Sequence, residues 1–261
     1  MNTSYPRGSL GVGRGVALYM GAILGPGVLA LPGLAAAEAG PSSIVTWISL
    51  LALSVPVALC FAALASRFPD AGGVATFVRR AFGARPAAVV GWWFYCVIPI
   101  GAWTAGIIGA AYVGAALGFG GVGKIVLGLL LLVAAFAANH LGLRLSGGAQ
   151  LFLMAVLVAL LGLATVAGAF HVTADNFTPF APQGFAGITA AAGVLFYAFA
   201  GWEAASHLSG EFTDPRRQLP RVTAYTLLIV TVIYIGLSVV TVGALGHAAA
   251  TSPVALTALL V

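Results

Sequence analysis

Between Val12 and Leu245 nearly every charged residue lies in or beside a turn, and the long stretches between turns are apolar. In lipid no water is available to bond backbone amides, so an apolar stretch of ~20 residues has to satisfy them internally, as a helix does. Composition agrees. Charged residues make up 7% of the chain and hydrophobic ones 61%, against ~25% charged in a soluble domain. The chain therefore reads as an all-α integral membrane protein. At ~20 residues per span, 261 residues allow about seven or eight helices.

Seven spans are expected, at 12–37, 42–66, 85–117, 124–140, 147–170, 185–208 and 220–245. Span 3 is long enough to require a strong tilt. Residues 74–82 form a short amphipathic piece ending in Arg79 and Arg80, suited to the membrane surface. Residues 252–261 read as the start of an eighth span, and the chain as C-terminally truncated. The positive residues orient the set. With the N-terminus inside, Arg7, Arg14, Arg67, Arg79, Arg80, Arg85, Arg144, Arg216, Arg217 and Arg221 all fall inside and only Lys124 outside, which is ten of eleven. The net charge of +5 is thus a matter of topology and implies no nucleic acid.

Span 1 contains Gly21-Ala22-Ile23-Leu24-Gly25-Pro26-Gly27-Val28-Leu29. Proline removes a donor, and glycine loosens the helix. A break is expected near mid-membrane, where irregular backbone persists only if protein or a water-filled cavity satisfies it. A second weak point, Tyr197-Ala198-Phe199-Ala200-Gly201-Trp202-Glu203, lies in span 6, which runs the opposite way. Paired interruptions in oppositely directed spans point to an inverted-repeat secondary transporter. The competing expectation is a pair of ordinary kinked helices packing through Gly21 and Gly25.

Three separated motifs carry a family resemblance: Gly21 to Pro32; Arg67-Phe68-Pro69-Asp70-Ala71-Gly72-Gly73 with Arg79-Arg80-Ala81-Phe82-Gly83; and Phe199 to Glu203 with Glu211-Phe212-Thr213-Asp214-Pro215-Arg216-Arg217-Gln218-Leu219-Pro220. In this order they resemble the amino acid–polyamine–organocation permease superfamily, most of all its bacterial methionine and branched-chain amino-acid exporters. The resemblance implies a LeuT-like inverted-repeat fold in a single transmembrane domain over 1–261. The first five-helix repeat would occupy 12–171 and part of the second 185–261.

The chemistry of the breaks fits an amino acid. A half-helix starting at Gly27 offers the N–H groups of Gly27, Val28 and Leu29 to a carboxylate, aided by the helix dipole. The carbonyls of Ala22, Ile23 and Leu24 are left for an ammonium, with those of Phe199 and Ala200 to complete the cage; the resemblance implies the same roles. Gly25, Pro26 and Gly201 shape the breaks. Ile23, Pro99, Tyr197, Phe199 and Trp202 are candidates for an apolar side-chain pocket, and Tyr197 matches the position of an aromatic gate in related antiporters. Glu203 is the only acidic residue well inside a span. It is a candidate proton carrier, or alternatively a structural partner of the loosened backbone of span 1. His207, one turn on, would share its proton or else sit at the inner interface.

With no second intramembrane acid, a small neutral amino acid is favoured over a polyamine. The expected function is secondary active transport by alternating access across a bacterial cytoplasmic membrane, in the direction of export, with proton coupling as a hypothesis. The alternative is a truncated, non-transporting membrane protein or partner subunit that keeps the fold. No catalytic constellation, metal-ligand spacing or cofactor motif stands out, so an enzyme is not expected. Gly118-Phe119-Gly120-Gly121-Val122-Gly123 matches GxGxxG, but it joins two membrane helices without a preceding strand.

Overall fold

A computed structural model of the chain describes residues 8–25, 27–141, 147–246 and 248–251. Pro26, Arg7, Arg144 and the proposed eighth-span start at 252–261 lie outside the described residues. The chain is helical throughout, and among the described residues it has one isolated bridge, Leu10 to Phe212, and no strand.

Span 1 is two helices of equal length, α1 (Val12–Leu24) and α2 (Gly27–Ala39), each of 13 residues. A turn at Gly40, with φ +57°, leads into α3 (Ser43–Arg67). The surface piece is α4 (Val74–Phe82), with the bounds expected from sequence. Then come α5 (Ala84–Ala116), α6 (Gly121–His140) and α7 (Gly147–Ala169). Span 6 begins as α8 (Gly184–Leu195), passes through a 3-10 turn at Phe196–Phe199, and resumes as α9 (Trp202–Ala205) and a second 3-10 stretch, Ser206–Glu211. The last long helix is α10 (Pro215–Leu245).

Six stretches of the described residues are long and apolar enough to cross a bilayer. The first, Val12–Arg67, has 56 residues. At ~1.5 Å per residue it is well over twice the ~30 Å hydrocarbon thickness, so it supplies two crossings that meet at the Gly40 turn. The expected seventh span starts earlier than its apolar pattern suggested. Asp214 accepts a hydrogen bond from Arg217 N at 3.3 Å, and Pro215 occupies the first helical position. Proline is preorganised for that position, so the charged segment 215–219 is helix rather than loop.

The most buried span is α10, packed by α1, α3 and α7. Its Leu219, Val222, Tyr234 and Leu237 are fully buried, as are Leu24, Val28, Trp47 and Leu195 from the helices around it. α8 lies along α2. Spans 1, 2, 6 and 7 thus form the core. α5 and α6 pair with each other beside it, and large side chains such as Trp92, Trp93, Leu130 and Val133 stay exposed. In a bilayer such faces are solvated by lipid tails as apolar as themselves.

The helix directions sort the charges. The described arginines at 14, 67, 79, 80, 85, 216, 217 and 221 collect at the end that holds Leu10, whereas Lys124 opens α6 at the other end. Hydrogen bonds knit the basic end. Leu10 N donates to Glu211 O at 2.9 Å, and Asp70 N donates to Ser209 Oγ at 3.1 Å. At the opposite end Asn176 Nδ2 donates to Gly243 O at 2.7 Å, so the segment between α7 and α8 braces α10.

α8 reaches α2 through Gly187. A Cβ there would stand 2.8 Å from the carbonyl oxygen of Glu38, a backbone atom that cannot swing aside. Gly187→Ala is expected to lower the thermal unfolding midpoint in detergent, at a cost of ~1–3 kcal/mol. Gly193→Ala on the same helix meets no heavy atom within 4 Å and should leave the midpoint unchanged or raise it. Equal midpoints for the two variants would contradict this packing.

Candidate functional site

The two breaks are built differently and meet. In span 1, α1 stops at Leu24 and Gly25 turns to φ +44°, a left-handed geometry that costs a glycine little. No heavy atom lies within 4 Å of a Cβ built at Gly25, so the backbone angle and not crowding asks for glycine. In span 6, Ala200 is extended and Gly201 takes φ +145°. Here crowding matters as well. A Cβ on Gly201 would lie 2.7 Å from the carbonyl oxygen of Ala22 and 3.0 Å from Ile23 Cα. The backbones of the two broken spans touch at this point.

A cavity of about 170 Å³ lies between the breaks, lined by Ala22, Ile23, Leu24, Gly25 and Gly27 from span 1 and by Tyr197, Ala198, Ala200, Gly201, Glu203 and Ala204 from span 6. Tyr197 is 42% exposed. Its ring faces Gly27, with ring carbons 3.5 Å from where a Cβ would stand. The first-turn N–H groups of α2 have no partner inside their own helix. The site therefore offers donors at one edge and carbonyls at the other.

Val28 and Leu29, expected to act through their N–H groups, turn other atoms to the core, and Phe199, Trp202 and Pro99 do not line this cavity. Val28 is fully buried in the core. Leu29 turns its carbonyl to Tyr112, whose hydroxyl donates to it at 2.6 Å. Phe199 and Trp202 line a neighbouring apolar cavity of about 250 Å³ with Leu50, Leu53, Ser54 and Val57 of α3, and Ala200 and Glu203 border both cavities. Trp202 is 2% exposed, and its Nε1 has no hydrogen-bond partner among the described residues. Pro99 is exposed on α5 and does not line the cavity between the breaks.

Glu203 reaches the cavity, but its partner differs from the one anticipated. Both carboxylate oxygens accept from Gly201 N at 3.0 Å, so Glu203 caps the break of its own span rather than bonding span 1. No hydrogen bond joins it to His207. The His207 Nδ1 lies 2.9 Å from the carbonyl oxygen of Ala71, which accepts the ring proton, and the ring packs edge-on against Phe94. His207 thereby fastens span 6 to the loop after α3.

Sequence reasoning missed the braces behind the site. The Tyr234 hydroxyl donates to the carbonyl oxygen of Ile23 at 3.4 Å, and its ring stacks on Trp47 with centroids 4.6 Å apart. Phe199 closes this group, 6.2 Å from each of the two rings. A tyrosine inside an apolar span needs a partner for its hydroxyl, and that requirement is the signal that would have flagged Tyr112 and Tyr234.

Known proteins match this chain along most of its length. The amino acid permease family model matches residues 10–260. The L-methionine/branched-chain amino acid exporter YjeH of Escherichia coli (strain K12) is 37% identical over 234 residues, covering 88% of this chain and 55% of the relative. The uncharacterized amino acid permease YecA of Bacillus subtilis (strain 168) is 32% identical over 230 residues, with 88% and 54% covered. The branched-chain amino acid permease BcaP of the same organism is 27% identical over 251 residues, again with 88% and 54% covered. The chain thus spans about half the length of the curated relatives it matches. With a multi-pass helical bundle and a family match that runs through both broken spans, the chain belongs to the amino acid permease family.

Proposed function

We propose that the protein carries small neutral, apolar amino acids across the cytoplasmic membrane by alternating access, in the direction of export, with the cavity between the two breaks as its substrate site. The observation that carries this reading is the meeting of two oppositely directed, broken spans around a cavity of about 170 Å³. Drug-sized ligands occupy roughly 300 Å³ or more, so this space suits a molecule of amino-acid size. In this reading the N–H groups that open α2 take the carboxylate, and the carbonyls that close α1, with Ala200 of span 6, take the ammonium. Tyr197 stands over the site as a gate. Glu203 is the one carboxylate lining the cavity, and it is engaged by Gly201 N. With Glu203 capping the break and no second carboxylate lining the cavity among the described residues, neutral amino acids are favoured over doubly cationic ones. The E. coli relative is named for methionine and branched-chain amino acids, and its direction is export; both suit an apolar pocket. The gathering of arginines at the Leu10 end supports a cytoplasmic N-terminus.

Proton coupling through Glu203 belongs to the same reading. Its carboxylate holds Gly201 N, so a proton arriving there would weaken the cap at the point where the two spans touch.

Counterflow in liposomes tests the substrate. Labelled methionine and leucine are expected to exchange, and lysine and putrescine are not; exchange of the cations with no exchange of leucine would reverse the assignment. For the proton, Glu203→Gln keeps an oxygen that can accept from Gly201 N, so the fold survives while the titratable group is lost. Transport by this variant should lose its dependence on pH, and an unaltered pH profile would leave Glu203 with a capping role only. Gly201→Ala forces a side chain against Ala22 and costs ~1–3 kcal/mol in backbone strain alone. It is expected to reduce counterflow tenfold or more, read against the amount of folded protein in the liposomes; wild-type counterflow would refute the contact.

A further inference from the structure

The face of the protein built by α4 and the start of α5 pairs a cluster of arginines with an exposed apolar stripe. α4 buries Thr76 and Phe77 against the protein and leaves Arg79 and Arg80 exposed. Arg67 and Arg85, on either side of α4, are exposed too. None of the four has an acidic partner. Among the described residues the one ion pair is Arg217 with Asp214, at 3.7 Å, on α10. The carboxylate nearest in sequence, Asp70, is engaged by the backbone N–H of Gly72 at 2.6 Å. The Arg80 guanidinium lies 4.8 Å above the Phe68 ring, which holds its stem in place and leaves its edge donors free.

Below the arginines the surface turns apolar. Arg85, Val89, Trp92 and Trp93 follow each other at helical spacing on one face of α5. Val89 is 50% exposed, Trp92 64% and Trp93 66%. Phe82, at the end of α4, is 74% exposed. A soluble anion or a nucleic acid would use the arginines and leave the stripe in water. A phospholipid uses both, with its phosphate at the arginines and its acyl chains along Val89 and the two tryptophans, which are suited to the interface. We propose that this face is a binding site for an anionic phospholipid, held at its phosphate by Arg79 and Arg80 with Arg67 and Arg85 around them. Guanidinium groups match phosphate oxygens in a fork, and each arginine near an anionic lipid surface strengthens binding severalfold.

The test is native mass spectrometry of the full chain, purified in detergent and titrated with phosphatidylglycerol and with phosphatidylcholine of identical chains. Phosphatidylglycerol is expected to bind on the order of tenfold more tightly. Arg79→Gln with Arg80→Gln should weaken it on the order of 20- to 30-fold. Arg79→Lys with Arg80→Lys, which keeps both charges and loses the forks, should fall between wild type and the double glutamine variant, and Arg217→Gln, which removes a guanidinium already facing Asp214, should leave binding unchanged. Equal affinity for the two lipids overturns the proposal, and so does wild-type binding by the double glutamine variant. Competition by the soluble glycerophosphoglycerol headgroup as effective as that by the intact lipid also overturns it, because the apolar stripe would then take no part. If the glutamine variant fails to fold, the salt dependence of wild-type binding decides: insensitivity to salt overturns the site, and weakening with rising salt supports it.

Discussion

A helix opened inside a bilayer exposes backbone groups that lipid cannot bond, and each one left bare costs several kcal/mol. The break in span 1 persists because other spans attend to its edges. Tyr234 of α10 holds the carbonyl of Ile23, one of those left open where α1 ends, and Tyr112 of α5 anchors the first turn of α2 through the carbonyl of Leu29. Gly201 lets the backbone of span 6 come up against Ala22. Ala22, Ile23, Leu24, Gly25 and Gly27 also border a cavity of about 170 Å³ shared with span 6. Much of the fold follows from this requirement. α10 has to be central for its tyrosine to reach the break, and span 6 has to break as well for its own backbone to approach.

The supports are uneven along the membrane normal. At the basic end, the segment before α1, the loop after α3 and the 3-10 stretch of span 6 are tied to one another by backbone and side-chain bonds. At the other end the Asn176 side chain and the Thr173 N–H both bond the Gly243 carbonyl. Between these ends, span 6 passes through the 3-10 turn Phe196–Phe199, whose hydrogen bonds are poorer, the extended Ala200 and the single α-helical turn Trp202–Ala205. The least regular part of the core is therefore the part that borders the cavity.

Much of the site could be read from residues alone, because glycine and proline act locally. Gly25 and Gly201 mark the breaks, and Ala22, Ile23, Leu24, Gly27, Tyr197 and Ala200 border the cavity between them. The failures share a cause. Phe199 and Trp202 sit beside the second break, yet the 3-10 turn and the extended Ala200 rotate their side chains toward α3. His207 lies one turn from Glu203, but the chain changes from α-helix to 3-10 between them and the ring finds Ala71 instead. Helical spacing predicts neighbours only while the helix continues.

The sequence by itself determined the class of protein, where the basic residues gather, and where the helices fail. These rest on composition and on backbone chemistry, and both act residue by residue. Only the tertiary structure decided which face of each broken span turns to the cavity and that Glu203 caps its own span. It also decided that two tyrosines from distant helices bond span 1 on either side of the break. Those outcomes depend on how helices rotate and pack against one another, and in a core this uniformly apolar the pattern along the chain does not specify the rotation.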